Sequence, residues 1–153
     1  MSDHPLPWQG WVNVTRLALG LAFLVSACRL LDGHWRARNL AVIEYQAGDQ
    51  SVASITAPDT VQVSAPFSVS VKSYGGGCER QGETEVNAGA AVVEILPYDY
   101  TEGVECTDLL RTFDHVATVH FSAVGTDTLV FRGRRDVGGG FTFVMRLRTV
   151  VVR

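Results

Sequence analysis

Lysine is almost missing from this chain, with Lys72 the single example, and no tryptophan follows residue 36. Strong positive charge is also missing. Thirteen basic residues face 16 acids, giving a formal net charge of −3, which excludes a nucleic-acid binder that works by bulk charge. Only one long apolar run occurs, so a polytopic membrane protein is excluded. No Gly-x-Ser-x-Gly or His-Glu-x-x-His stretch is found, and no glycine cluster has the lysine of a phosphate-binding loop. Neither Cys78 nor Cys106 has a second cysteine at zinc-ligand spacing. What remains is 153 residues, 46% hydrophobic and 19% charged, which suits one domain plus a short extra segment and is too apolar for disorder. Fifteen glycines and 9% aromatics fit a β-rich domain.

The apolar run, Leu17 to Cys28, carries no charge and no proline. At about 1.5 Å per helical residue it reaches ~18 Å, short of a hydrocarbon core of roughly 30 Å. That length matches the hydrophobic region of a secretory signal, with Arg16 as the positive residue before it and Asp3 opposing. The run closes on Val25-Ser26-Ala27-Cys28, which resembles the lipobox of bacterial lipoproteins, with Val where Leu is usual. The resemblance implies cleavage before Cys28, diacylation of its sulfur and anchoring in a membrane. A retained helical anchor is the alternative. Trp8 and Trp11 before the run and Trp35 after it form a candidate aromatic belt at the two interfaces. Residues 12–31 then span, with Arg16 and Arg29 snorkelling from the ends. Arg29, Arg36 and Arg38 on the far side oppose export in both readings.

With Cys28 assigned to lipid, Cys78 and Cys106 remain as a pair, and in an oxidising envelope an even remainder predicts a disulfide. The expected localisation is therefore the bacterial cell envelope, with the domain on the extracytoplasmic side. The organisation expected is a signal or anchor over 1–28, a partly ordered tether over 29–50, and a β domain over 51–153. Within the tether, Asn39 to Tyr45 suits a strand or an amphipathic stretch that docks on the domain.

From residue 51 the pattern has period two with turn residues between short runs. Ser51–Ile55 and the Val61–Val63 stretch are candidate strands, separated by Pro58-Asp59. Phe67, Val69 and Val71 alternate with Ser68, Ser70 and Lys72, ending at Gly75-Gly76-Gly77. Glu85–Asn87 and Ala91–Leu96 flank an Asn-Ala-Gly turn, and Pro97 is expected to close the second run. His115–Ala123 follows, after Asp108–Phe113, which allows one helical turn at most. Gly125-Thr126-Asp127 is read as a turn, and Leu129 and Phe131 as the next inward pair. After Gly138-Gly139-Gly140, Phe141, Phe143, Met145, Leu147 and Val151 share one face of the last strand, while Thr142, Val144, Arg146 and Arg148 share the other.

About seven strands over roughly 100 residues suggest an all-β fold, an antiparallel sandwich preceded by an N-terminal hydrophobic helix. The stretch Ala57-Pro58-Asp59-Thr60-Val61, followed by Pro66-Phe67-x-Val69-x-Val71, resembles bacterial immunoglobulin-like domains, as does Val119 to Leu129. The resemblance implies an immunoglobulin-like antiparallel β-sandwich. It departs from the antibody type: no core Trp is available, and Cys78 and Cys106 lie in turn-like polar contexts, where a bond staples loops rather than sheets.

His115 and His120 are five residues apart on one strand, hence on opposite faces, and cannot share a metal. Asp99, Glu102, Glu105 and Asp108 surround Cys106 without the glycine turn of a calcium loop, and read as a solvated acidic loop. No metal, cofactor or catalytic residue is predicted. Between Glu79 and Asp114 nine acids and two arginines give −7, while between Arg132 and Arg153 six arginines and one acid give +5. The two stretches either neutralise one another or make a bipolar surface that orients a partner. The function expected is a non-enzymatic, membrane-anchored binding or structural module with a protein partner and no nucleic acid or small-molecule substrate. The alternative is an accessory subunit of an energy-transducing or transport complex, with the N-terminal helix uncleaved.

Overall fold

The computed structural model describes residues 36–46, 52–103 and 106–153, all within a compact unit spanning Trp35–Arg153. These residues are all-β, with no helix among them. Four short strands come first: β1 (Arg36–Leu40), β2 (Val42–Glu44), β3 (Ile55–Thr56) and β4 (Thr60–Val61). Six long ones follow: β5 (Phe67–Gly75), β6 (Glu79–Ala88), β7 (Val92–Glu102), β8 (Arg111–Val119), β9 (Gly125–Asp136) and β10 (Phe141–Val152). Cys28, Trp8, Trp11 and Trp35 lie outside the described residues, as does the hydrophobic helix expected around Cys28.

Three antiparallel ladders organise the long strands: β5–β8, β6–β7 and β9–β10. Inward side chains from β5, β7, β8, β9 and β10, with Phe121 from the segment after β8, meet in one cluster that includes Val69, Val71, Val93, Ile95, Val119, Leu129, Phe131, Val150 and Val152. Burying each such side chain contributes about 1.5–3 kcal/mol, so this cluster is the main favourable term. Phe67 and Phe121 close it with ring centroids 5.8 Å apart.

The sheet is mixed rather than antiparallel. β7 runs parallel to β9 over Val92–Ile95 and Thr128–Phe131, β4 runs parallel to β10, and β2 runs parallel to β9. The bonded path is open, ending on β1 and β3. The parallel β7–β9 pairing stops at Ile95 because Pro97, two residues on, has no N–H to donate. The strand does not end there, as Pro97 suggested; it changes partner. β1 pairs with Tyr98–Glu102, and Ala41 at the bend donates its N–H to the Pro97 carbonyl while accepting from Arg134. Residues 36–44, within the stretch read as a tether, thus fill the fork between β7 and β9, with Ala41, Val42, Ile43 and Glu44 buried. Gly133 permits this: a Cβ there would stand 2.7 Å from Ile43 Cγ1.

Further differences concern strand ends. Gly125-Thr126-Asp127 is the start of β9, paired with Val150–Val152, and not a turn. Pairing with β10 supplies the ladder that a three-residue polar signal alone hides. Residues 106–110 form no helical turn, and β8 begins at Arg111. The hairpin at 137–140 is a turn as expected, with Gly138 and Gly139 at φ of 72° and 130°. In β10 the two faces separate as the alternation requires, but the aromatic row faces solvent. Phe143 is 78% and Leu147 63% exposed, whereas Val150 and Val152 reach the core and Arg146 and Arg148 turn toward carboxylates.

Candidate functional site

A cleft of about 620 Å³ opens where β2, β5, β7 and β9 end. Its apolar rim comprises Tyr45 and Tyr74, whose ring centroids are 6.2 Å apart, with Leu109, Leu110 and Phe141. Leu109, Leu110 and Phe141 are exposed. Glu79, Asp99, Asp108, Arg134 and Asp136 supply the polar part of the lining. Arg134 stacks over Phe141, 4.5 Å from its ring centroid, and donates to the Leu40 carbonyl. Burial pushes its guanidinium below the ordinary arginine range, against the opposing attraction of Asp99 and Glu79.

One wall of the cleft is held covalently. Cys78 and Cys106 form a disulfide, with Cα atoms 5.0 Å apart, and the Gly77 N–H donates to the Thr107 carbonyl at 3.0 Å. Together these fix the 106–110 segment against the β5–β6 turn. The predicted pairing is present, and it staples loops.

Beneath the cleft lies a buried polar cluster. Ser73 Oγ donates to Asp99 Oδ2 at 2.7 Å and lies 3.0 Å from His115 Nε2, which is 3.1 Å from Asp99 Oδ1. Thr84 Oγ1 is 3.3 Å from His115 Nδ1. Ser73 and His115 are fully buried. The bonds close with one tautomer: Nε2–H donates to Ser73 Oγ and Asp99 Oδ1, and Nδ1 accepts from Thr84. Ser, His and Asp together suggest a nucleophilic triad, but the connectivity is wrong for one. In a triad the serine and the carboxylate occupy opposite ring nitrogens. Here both share Nε2, the serine proton lies on the carboxylate, and no substrate can reach the hydroxyl. The cluster joins β5, β7 and β8 at one end of the core.

Sequence reasoning missed this cluster, although a signal existed. Ser73, Asp99 and His115 each continue the inward phase of their strands, after Val69 and Val71, after Val93 and Ile95, and before Ala117 and Val119. His120 is exposed and lies just beyond the end of β8, away from the cluster. Of the acidic residues around Cys106, Glu105 lies outside the described residues and the other three are apart: Asp99 points to His115, Glu102 pairs with Arg36 at 2.9 Å, and Asp108 lines the cleft. Among the described residues no group of three His, Cys, Asp or Glu side chains is placed to hold a metal. No described helix is long and apolar enough to cross a membrane.

Four arginines of the basic stretch are paired, but only one of them with the acidic stretch. Arg132 meets Glu94, Arg148 meets Asp59, and Arg135 and Arg146 both meet Glu44, which is fully buried. On the outer face of β1, Arg38 lies 3.3 Å from the Tyr98 ring centroid and ion-pairs with Glu83 and Glu85, while Arg36 covers Tyr100 at 3.6 Å. Tyr100 donates to Glu83 at 2.6 Å. That bond, then the residue's own backbone N–H and Arg38, hold the Glu83 carboxyl well down, at about 2.

Comparison with known proteins yields no match: no family model fits the chain, and neither a curated protein nor a solved structure matches it.

Proposed function

We propose that this chain is a non-enzymatic, membrane-anchored protein of the bacterial cell envelope, whose extracytoplasmic domain acts as a binding or structural module for a protein partner. The Cys78–Cys106 disulfide carries the reading. Such a bond persists in oxidising compartments and is reduced in the cytosol, and here it sets one wall of the cleft. A rim of Tyr45, Tyr74, Leu109, Leu110 and Phe141 around acidic groups suits an apolar or aromatic side chain of a protein partner. The domain is an immunoglobulin-like β-sandwich, a reading supported by three long antiparallel ladders, an apolar core and the resemblance of residues 57–71 and 119–129. Its function is adhesion through its surface, with no catalytic residue, cofactor or metal.

The anchor is lipid on Cys28, following cleavage at the lipobox-like Val25-Ser26-Ala27-Cys28. Intact mass of protein extracted from membranes tests this: loss of residues 1–27 with addition of a diacylglyceryl group supports it. A full-length mass replaces it with the retained anchor flanked by Trp8, Trp11 and Trp35, and with an accessory subunit of a membrane complex.

A further inference from the structure

Among the described residues, the outer edge of β10 is open along most of its length. On one side β10 pairs with β9 without a break, from Phe141↔Asp136 to Val152↔Gly125. On the other side, among the described residues, only β4 is bonded, at Val151 and Val152. The direction of the free groups follows from two bonds on that side: Val151 N–H donates to the Asp59 carbonyl and Arg153 N–H to the Val61 carbonyl. Strand alternation then aims the backbone N–H and C=O of Thr149, Leu147, Met145, Phe143 and Phe141 outward along the edge. The hairpin agrees, because Gly140, of opposite parity, accepts from Val137 on the β9 side.

Natural edge strands are blunted by charged side chains, proline, bulges or short length. β6 shows such protection, with Glu79, Arg80, Glu83 and Glu85 and a register shift between Gln81 and Thr84. β10 has no proline, no lysine and no bulge, and its outward row is Phe141, Phe143, Met145 and Leu147, all more than half exposed. Two inward arginines are its only charges. Both are neutralised, Arg146 by Glu44 and Arg148 by Asp59.

We infer that the β10 edge pairs antiparallel with the same edge of a second copy of this chain, about a two-fold axis at Met145. The edge is complementary to itself, in the alternation of its outward backbone groups and in the placement of its two arginines, and this sets the register. β4 closes the edge from Val151, so the open stretch is 141–149, whose midpoint is Met145. Pairing about that point matches Phe141 with Thr149 of the second copy, Phe143 with Leu147, and Met145 with its own counterpart, using outward donors and acceptors on both sides. The even row then sets Val144 opposite Arg146 and Thr142 opposite Arg148, so no arginine faces another. Moving the axis to Leu147 fails twice: it places Arg146 opposite Arg148 and requires Val151, whose N–H is already given to Asp59. The paired edges bring two apolar rows side by side in one continuous sheet. This inference is independent of how the N-terminus is processed, because it uses backbone groups of β10 alone.

The full chain in mild detergent is the sample, and protein mass by light scattering is the readout. Two chains per particle are expected. Met145→Lys sets two like charges at the axis, and Met145→Pro removes only an outward N–H; both are expected to give one chain per particle, with near-ultraviolet circular dichroism retained. Val116→Lys, on the exposed face of β8, is expected to leave two chains. In the wild type the Met145 and Leu147 amides are expected to be protected from hydrogen exchange, and in Met145→Lys they are expected to exchange fast. A wild-type mass of one chain overturns the inference, and so does a two-chain mass that survives Met145→Lys. If Met145→Pro fails to fold, Met145→Lys and the exchange rates decide alone.

Discussion

Glu44 offers a quantitative test of how residues 36–44 are built into the sheet. Its carboxylate is fully buried and is met from two sides, by Arg135 at 2.5 Å on Oε2 and by Arg146 at 2.5 Å on Oε1, while both arginines remain partly exposed. The costly member is therefore the carboxylate. Arg135 donates a hydrogen bond to Oε2, whereas Arg146 meets Oε1 as an ion pair without hydrogen-bond geometry; removing either leaves the other in place, and the loss moderated by solvent is about 1–2 kcal/mol for Arg135 and about 1 kcal/mol for Arg146. Removing both strands a buried charge, which costs about 3–5 kcal/mol. Arg135→Ala and Arg146→Ala are thus expected to be non-additive, with the double variant exceeding the sum of the singles by about 1 kcal/mol or more. Urea unfolding of the four proteins, with slopes compared to confirm a common two-state transition, measures the cycle. Additive losses totalling less than about 1 kcal/mol would mean that the carboxylate is hydrated, and that β2 does not occupy the fork between β7 and β9.

Four other outcomes follow from named contacts. Replacing Cys78 and Cys106 with alanine opens a loop with a sequence separation of 28 and is expected to cost about 3.5 kcal/mol on the chain-entropy model, read from the urea midpoint. Ser73→Ala leaves the buried Asp99 Oδ2 without its donor, while His115 keeps Asp99 Oδ1 and Thr84, and is expected to lose about 1–3 kcal/mol by the same assay; no change would show that the cluster is open to water. Gly133→Ala drives a methyl into Ile43 Cγ1, Cγ2 and Cδ1 and is expected to cost about 1–3 kcal/mol, a clash that Ile43→Ala removes and Ile43→Val, which keeps both Cγ atoms, does not. The Glu83 carboxyl, held at about 2 against an ordinary 4.5, stabilises the folded chain above pH 4.5 and loses that contribution as the pH falls toward 2. Carbon-detected titration of Tyr100→Phe is expected to raise this value, since the Tyr100 hydroxyl is the largest cause of the shift; an unchanged titration would remove the phenol from that role.

Period-two alternation made β5, β9 and β10 legible from side chains alone, because each has a clear inward row. Three features escaped it for separate physical reasons. Parallel pairing of β7 with β9 depends on non-local contacts that carry no local signature, and Pro97 looked like an end because its missing donor marks a change of partner. The β10 faces were separable, yet which one meets the core depended on Glu44 and Asp59, distant in sequence, to receive Arg146 and Arg148. The Ser73–Asp99–His115 cluster was hidden because each residue, taken singly, reads as an ordinary polar position at a strand end. By contrast the Cys78–Cys106 pairing needed only arithmetic once Cys28 was set aside.

The central claim is that this β domain resides in a non-reducing space outside the cytosol, held to a membrane. Thiol trapping in intact cells followed by fractionation tests it most directly. The prediction is a membrane-associated protein in which Cys78 and Cys106 resist alkylation until a reductant is added. Immediate labelling of both cysteines in a soluble cytoplasmic fraction would contradict it.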